Sequence, residues 1–115
     1  MTLTDKEREY LAKAPDFVED LIERLQEPEF QKGWLELTLE EFLEDGDVNR
    51  FIRCLTYVVK ARGRGEVSKL AAASNVDRGN LSEIVNGKVT PRLDTVLKLI
   101  KGLGYTYHIE LKKSA

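Results

Sequence analysis

Three side chains within one short segment, Arg78, Asn80 and Glu83, can form the hydrogen bonds by which proteins distinguish nucleic-acid bases. An arginine can donate two hydrogen bonds to O6 and N7 of guanine, and an asparagine can pair with N6 and N7 of adenine. A glutamate can accept from the amine of cytosine, although outward glutamates are also common solvated residues. This chemistry requires an element that presents all three side chains on one exposed face.

The residues around this segment predict two short helices joined by a tight turn. Apolar residues recur at the spacing that lets one helix cross another: Leu70, Ala71, Val76, Leu81 and Ile84. Asn75 tolerates the left-handed backbone of a sharp turn, and Asp77 can cap the second helix. Asn86-Gly87 is a typical helix stop, so we expect the second helix to run from about Arg78 to Val85. This is the layout of a helix-turn-helix DNA-binding motif.

The N-terminal half is also predicted to be helical. Residues 4–7 are spaced as a capping box for a short first helix, and Pro15-Asp16 begins a second helix. Pro28 begins a third helix that ends near Glu44. Gly46-Asp47 should end that helix and cap a fourth, for which Gly63 is the expected stop.

A last helix and an extended tail complete the prediction. Thr90 should cap the helix, with Pro91 at its first position. The expected buried stripe of this helix is Leu93, Val96, Leu97, Ile100 and Leu103. After Gly104, apolar and polar side chains alternate from Tyr105 to Leu111, which predicts one short strand. A single strand needs a partner in a dimer or on a bound protein; otherwise it is an extended tail on the protein's own core.

The segment from Val67 to Leu103 resembles the lambda-repressor/Cro-type (Xre) helix-turn-helix family. The matching residues are Leu70, Ala71, Val76, Leu81, Ile84, Asn86, Gly87, Lys88, Pro91, Leu93, Asp94, Thr95, Lys98, Leu103 and Gly104. Upstream, residues 25–63 resemble the leader of the antidote (antitoxin) proteins of bacterial toxin-antitoxin addiction modules. Lys32-Gly33-Trp34 and Val58-Val59 replace the residues usual in that leader. The resemblance implies an all-α fold, a lambda-repressor-like helix-turn-helix bundle with an N-terminal helical extension, to which the tail pattern adds one short C-terminal β-strand.

The resemblance also implies how the chain would bind double-stranded operator DNA. The side chains expected at base edges are Arg78, Asn80 and Glu83. The expected contacts to the DNA backbone are Lys69, Ser82, Asn86 and Lys88, followed by Arg62 and Arg64. The residues that shape the turn and the helix ends are Asn75, Asp77 and Gly87. A homodimer is expected because half-sites about 34 Å apart need two matched motifs, and an antidote implies a small RelE/ParE-like toxin protein as partner.

Charge is unevenly distributed along the chain. Residues 1–46 carry 14 acidic and 5 basic side chains, a net −9, whereas residues 47–115 carry 6 acidic and 13 basic ones, a net +7. The basic half contains the predicted motif, so the local electrostatic field favours phosphate binding. A solvated helical face explains the acidic half equally well.

We divide the chain into an acidic helical N-terminal extension (1–46), a lambda-repressor-like helix-turn-helix DNA-binding domain (47–104) and a C-terminal strand or tail (105–115).

Aromatic and apolar residues outside the motif form a candidate partner or dimer surface. The third helix is apolar on more than one face, which indicates packing on two sides within the monomer or, alternatively, a surface for a partner. The residues assigned to this surface are Phe30, Trp34, Tyr105, Tyr107 and Ile109.

Other chemistry is poorly represented. Cys54 is the only cysteine and His108 the only histidine, so neither an intramolecular disulfide nor a histidine-based metal cluster is expected. The sequence contains no glycine-rich phosphate loop and no catalytic triad pattern, so we expect no cofactor and no enzymatic activity. No apolar run approaches the roughly 20 residues of a membrane span, and the expected location is the cytoplasm.

The sequence therefore favours a sequence-specific DNA-binding transcriptional regulator, the antitoxin of an addiction module that represses its own operon and neutralises a small toxin. Two alternatives stay open: a stand-alone Xre-type transcription regulator, and a protein-interaction module without DNA binding. Salt-sensitive binding to DNA and a co-purifying toxin would distinguish the three.

Overall fold

The computed structural model describes residues 15–114, and these residues form six α-helices and no β-strand. In chain order the helices are α1 (Pro15–Arg24), α2 (Pro28–Asp45), α3 (Val48–Arg62), α4 (Glu66–Ser74), α5 (Arg78–Val85) and α6 (Leu93–Gly102). The described part of the chain is therefore all-α, as predicted. The helix predicted to begin with the capping box at residues 4–7 lies outside the described residues.

The connection between α2 and α3 follows local sequence signals. Helix α2 begins with Pro28 in its first turn and ends before Gly46, whose φ of 73° is left-handed and costs glycine no steric strain. Asp47 caps α3 by accepting a hydrogen bond from the Arg50 amide at 3.0 Å. The Arg50 guanidinium also donates to the Asp45 carboxylate at 2.6 Å, which raises the pKa of Arg50. The predicted end of α2 and cap of α3 are confirmed.

Helix α3 lies at the centre of the fold and packs against α1, α2, α4 and α5, whereas α4 packs most extensively against α6. The side chains that are fully buried come from α3, α4, α5 and α6, with one more from the segment after α1. They are Leu25, Phe51, Leu55, Val58, Leu70, Leu81, Ile84, Val96 and Leu99. Burying each such side chain contributes about 1.5–3 kcal/mol relative to exposure, so this cluster holds α4 and α5 in place.

The crossing of α4 and α6 depends on the absence of a side chain at Gly102. A Cβ at this position would overlap Ser74 Oγ and would lie 3.0 Å from Leu70 Cδ1 and 3.1 Å from Ser74 Cβ. The Ser74 hydroxyl is buried there and has no hydrogen-bond partner among the described residues. Glycine therefore lets the two helices approach more closely than alanine would allow.

The predicted start of α6 is wrong. The helix begins at Leu93, after an Arg92 N-cap that makes no side-chain cap bond, rather than at Thr90-Pro91. The Thr90 hydroxyl instead donates to the Asn49 Oδ1 of α3 at 3.0 Å, and Thr90 lies outside the helix. Leu93, which was predicted to belong to the buried stripe, is 58 % exposed, whereas Leu99, which was not, is fully buried.

The predicted C-terminal strand is also wrong, because residues 105–114 have no regular secondary structure. Within residues 15–114 there is no neighbouring strand to pair with this segment, so it forms no ladder within the chain. Tyr105 and Tyr107 are half-buried against the core, whereas Ile109 and Leu111 are 49 % and 94 % exposed. The segment is thus an extended tail whose first residues lie on the protein's own core.

Candidate nucleic-acid interface

Helices α4 and α5 are joined by three residues, and the turn is made at Asn75. Asn75 has φ 55° and ψ 43°, and it is the only non-glycine residue with positive φ in the described chain. The amides of Asn75 and Val76 donate to the carbonyls of Ala72 and Ala71, at 3.3 and 3.0 Å. The left-handed turn predicted at Asn75 is confirmed.

Both ends of α5 are stabilised by the residues that the sequence indicates. The Asp77 carboxylate accepts a hydrogen bond from the Asn80 amide at 3.0 Å. At the other end, Gly87 has φ 74° and its amide donates to the Ile84 carbonyl at 3.0 Å, which satisfies one of the last carbonyls of the helix. Leu81 and Ile84 are buried, so the opposite face of α5 is directed to solvent.

The exposed face of α5 carries all three predicted base-contacting residues, Arg78, Asn80 and Glu83. The Arg78 Nε donates to the Ser68 hydroxyl of α4 at 2.7 Å. Neither Nη group of Arg78 has a partner among the described residues, so both can donate to a planar acceptor pair. The structure thus brings the three side chains together on one eight-residue helix, with one of them braced by α4.

Most of the predicted backbone contacts surround this helix pair. Lys69 is exposed on α4, Arg64 is exposed in the connection before α4, and Lys88 is exposed just after α5. Ser82 is half-buried on α5, and the Asn86 Nδ2 lies 3.5 Å from its hydroxyl. The three cations make no ion pair within residues 15–114, so their charge is available to an anionic ligand.

Arg62 differs from these residues because its guanidinium is held inside the chain. Its Nε and Nη2 donate to the Gln31 Oε1 at 3.1 and 2.7 Å, and Nη2 also donates to the Leu103 carbonyl at 2.7 Å. Its Nη1 lies 3.3 Å from the Glu66 carboxylate. Arg62 therefore joins α2, α3, α4 and the end of α6, and its prediction as a phosphate contact gains no support from this placement.

Sequence reasoning missed Gln31, which lies at the centre of that polar cluster. Gln31 is only 6 % exposed; its Nε2 donates to the Leu25 carbonyl at 2.9 Å, and its Oε1 accepts from Arg62 and from the Tyr105 hydroxyl at 3.0 Å. A buried amide needs such partners, because leaving it unpaired costs free energy. The only sequence signal was a glutamine next to Phe30 on a helix with an unusually wide apolar surface.

The candidate partner surface is largely occupied within the chain. Trp34 is 8 % exposed and its Nε1 donates to the Cys54 carbonyl at 3.0 Å, so it is a core residue, which is the packing alternative that the sequence left open. Phe30 is half-buried, with the Arg24 guanidinium 4.3 Å from its ring centroid. Of the residues assigned to this surface, Phe30, Trp34, Tyr105, Tyr107 and Ile109, the last alone is exposed.

Neither a metal centre nor a membrane span is found in the part of the chain that the structure describes. No three His, Cys, Asp or Glu side chains there are grouped so that they could hold a metal ion. No helix in that part is both long and apolar enough to cross a membrane.

The fold and this exposed face define a small helical protein whose basic half presents a short polar helix. The chain matches the family described as probable addiction module antidote protein over residues 19–111, and it belongs to that family. The matched range covers α2 to α6 and most of α1 and the tail, so the predicted antitoxin class is confirmed. An antidote in an addiction module implies a toxin partner in general. No curated protein and no solved structure matches the chain.

Proposed function

We propose that this antidote protein is also a sequence-specific DNA-binding regulator that represses its own operon. In this proposal α4 and α5 form a lambda-repressor-like (Xre) helix-turn-helix, and α5 enters the major groove of operator DNA. The observation that carries it is the exposed N-terminal face of α5, where Arg78 and Asn80 are directed to solvent beside a buried apolar face. In this motif the N-terminal residues of the second helix contact base edges.

The contacts of Arg78 support its role in base recognition. Ser68 restrains the guanidinium through Nε, so less side-chain entropy is lost when the two Nη groups bind a guanine. Asn80 has its backbone amide fixed by the Asp77 cap, which orients the first turn of α5. Lys69 and Lys88 would neutralise phosphates on either side of the helix, and binding would therefore weaken with added salt.

Two copies are expected to bind one operator. A single α5 spans about 12 Å, since an α-helix rises 1.5 Å per residue, and it can contact only a few base pairs. A two-fold dimer places two such helices about 34 Å apart on the same side of the duplex. We therefore propose a homodimer, which size-exclusion chromatography with light scattering can test at the concentration used for DNA binding.

We further propose that the acidic N-terminal half contacts the toxin in the cytoplasm. Helices α1 and α2 carry exposed carboxylates: Glu19, Asp20, Glu23, Glu29, Glu36, Glu40 and Glu44. Such a surface fits a small basic protein, because opposite charges steer association and discriminate against acidic partners. No catalytic step is part of this proposal. Co-expression with the product of the adjacent gene tests it: stable co-purification supports it, whereas a neighbour that never co-purifies favours a stand-alone regulator.

The DNA-binding proposal is tested by fluorescence anisotropy with duplexes from the region upstream of the gene. Arg78→Ala should weaken the free energy of DNA binding by about 1–3 kcal/mol and relax the sequence preference at one base pair. Lys32→Ala is the matched control, because Lys32 is an exposed cation on α2 that is ion-paired with Glu36. If the protein does not bind DNA at micromolar concentration, or if binding depends on neither salt nor sequence, a protein-interaction module is the better description.

A further inference from the structure

A groove of which the helix-turn-helix proposal uses only Lys88 lies between α3 and the end of α5. One wall is the side of α3, and the other is the last turn of α5 together with the loop that follows it. Its volume is about 420 Å³, and its lining residues are Asn49, Ile52, Arg53, Thr56, Tyr57, Lys60, Ile84, Val85, Gly87, Lys88, Val89 and Thr90. The hydrogen bond between the Thr90 hydroxyl and Asn49 Oδ1 joins the loop to α3, and both residues line the groove.

The groove is lined by positive charge alone. Arg53, Lys60 and Lys88 all line it, and no aspartate or glutamate does so among the described residues. None of the three cations forms an ion pair within residues 15–114, in contrast to Arg50 and Arg62, which do. Three unpaired cations around one concavity focus a positive potential, which attracts an anionic ligand.

The spacing of the cations fits an extended anion rather than a single small one. Arg53 and Lys60 are seven residues apart on α3, which is about two turns and about 10.5 Å of helix rise. The phosphates of one DNA strand recur about every 3.4 Å along the helix axis, so the two side chains span about three steps of a strand. Thr56 and Tyr57 lie between them and supply hydroxyl donors.

The groove is continuous with the proposed DNA-contacting surface. Lys88 belongs to both, and Ile84 and Val85 of α5 form part of the groove wall. The DNA backbone next to the bases contacted by Arg78 would therefore run past the C-terminal end of α5 and into the groove. We propose that this groove holds the DNA backbone that flanks the contacted bases, with Arg53 and Lys60 as additional phosphate-binding residues. This inference rests on the proposed DNA-binding function and enlarges its footprint onto α3.

The experiment measures how the affinity for a long operator duplex depends on salt. Each phosphate contact contributes about 0.9 to the slope of log K against log salt, so the Arg53→Gln/Lys60→Gln double variant should have a slope about 1.8 shallower than the wild-type protein. Between 50 and 200 mM salt the wild-type protein should thus lose about 12-fold more affinity than the double variant. The order of preference among base-pair variants should stay the same. Lys32→Gln removes a cation outside the groove and should leave the slope unchanged.

A second measurement locates the contact on the DNA. The scan uses duplexes in which one phosphate is replaced by an uncharged methylphosphonate linkage. At positions that flank the contacted bases, this replacement should weaken binding by the wild-type protein and leave binding by the double variant unchanged. If the wild-type protein binds the duplex but the double variant has the same slope and the same scan, the groove assignment is overturned while the proposed function stands. The assignment is also overturned if inorganic polyphosphate competes with the duplex but the double variant has the same slope of log K against log salt as the wild-type protein. If the wild-type protein binds no duplex, the proposed function itself fails.

Discussion

Replacing Gly102 with alanine tests the packing that positions the DNA-contacting helix pair. The substitution adds one methyl group where α6 crosses α4, and that methyl group would overlap Ser74 Oγ. It would also lie 3.0 Å from Leu70 Cδ1, and Leu70 is 1 % exposed, so that side chain has little space into which to move. The two helices must therefore separate or Ser74 must adopt another rotamer.

The expected loss of stability combines two opposing effects. Alanine is better than glycine in a helix interior by about 1 kcal/mol, and because Gly102 is the last residue of α6, this is the most that the change would stabilise α6 if the site were open. Overpacking a well-filled core costs about 1–3 kcal/mol, and the overlap with two neighbouring side chains indicates the upper end of that range. We therefore expect Gly102→Ala to lower the free energy of unfolding by about 2 kcal/mol. For a chain of 115 residues, with an unfolding entropy of about 2.1 cal/mol/K per residue, that corresponds to a fall in Tm of about 8 °C.

The assay is urea unfolding followed by circular dichroism, with a double-mutant cycle. Ser74→Ala alone should stabilise the protein by about 1 kcal/mol, because it removes a buried hydroxyl without a hydrogen-bond partner. In the Ser74→Ala background, Gly102→Ala should lower the free energy of unfolding by clearly less, because the overlapping oxygen is gone. The coupling free energy between the two substitutions should exceed about 0.5 kcal/mol. Gly33→Ala is the control: Gly33 is exposed within α2 with no atom within 4 Å of a Cβ, so this change should stabilise by about 1 kcal/mol.

The result that refutes this reasoning is a Gly102→Ala variant that is more stable than the wild-type protein, as Gly33→Ala should be. Strict additivity of Gly102→Ala and Ser74→Ala would also refute it, because two side chains in contact must be coupled. Either outcome would mean that α4 and α6 are further apart than described.

Three further substitutions test the remaining contacts. Asp77→Ala should cost about 1 kcal/mol and accelerate hydrogen exchange of the Asn80 amide; unchanged exchange would mean that the cap contributes nothing. Tyr105→Phe should cost about 1 kcal/mol in urea unfolding, because one hydrogen bond to Gln31 is lost. Gln31→Ala should cost about 2 kcal/mol or more, since it also removes the acceptor for Arg62. If Gln31→Ala proves no worse than Tyr105→Phe, the polar cluster does not depend on the glutamine.

Sequence reasoning succeeded where the signal is local. The turn at Asn75, the caps at Asp47 and Asp77 and the bounds of α5 all depend on residues within a few positions of each other. It failed at Thr90, whose hydroxyl has the chemistry of a cap but binds Asn49, 41 residues earlier in the chain. The prediction of a strand was wrong for a related reason. Alternation of apolar and polar side chains predicts an extended backbone, but it does not provide a second strand to pair with.

The sequence by itself determined the helices that carry the candidate site and the antidote family, because periodicity, caps and family patterns are properties of neighbouring residues. Only the tertiary structure decided what the polar residues between those helices do. It placed Gln31 and Arg62 in one buried cluster and Gly102 against Ser74. It also placed Arg53 and Lys60 in the same groove as Lys88. The physical reason is that hydrogen bonds and steric overlap act over a few ångströms, and residues far apart in sequence reach that range only when the helices pack.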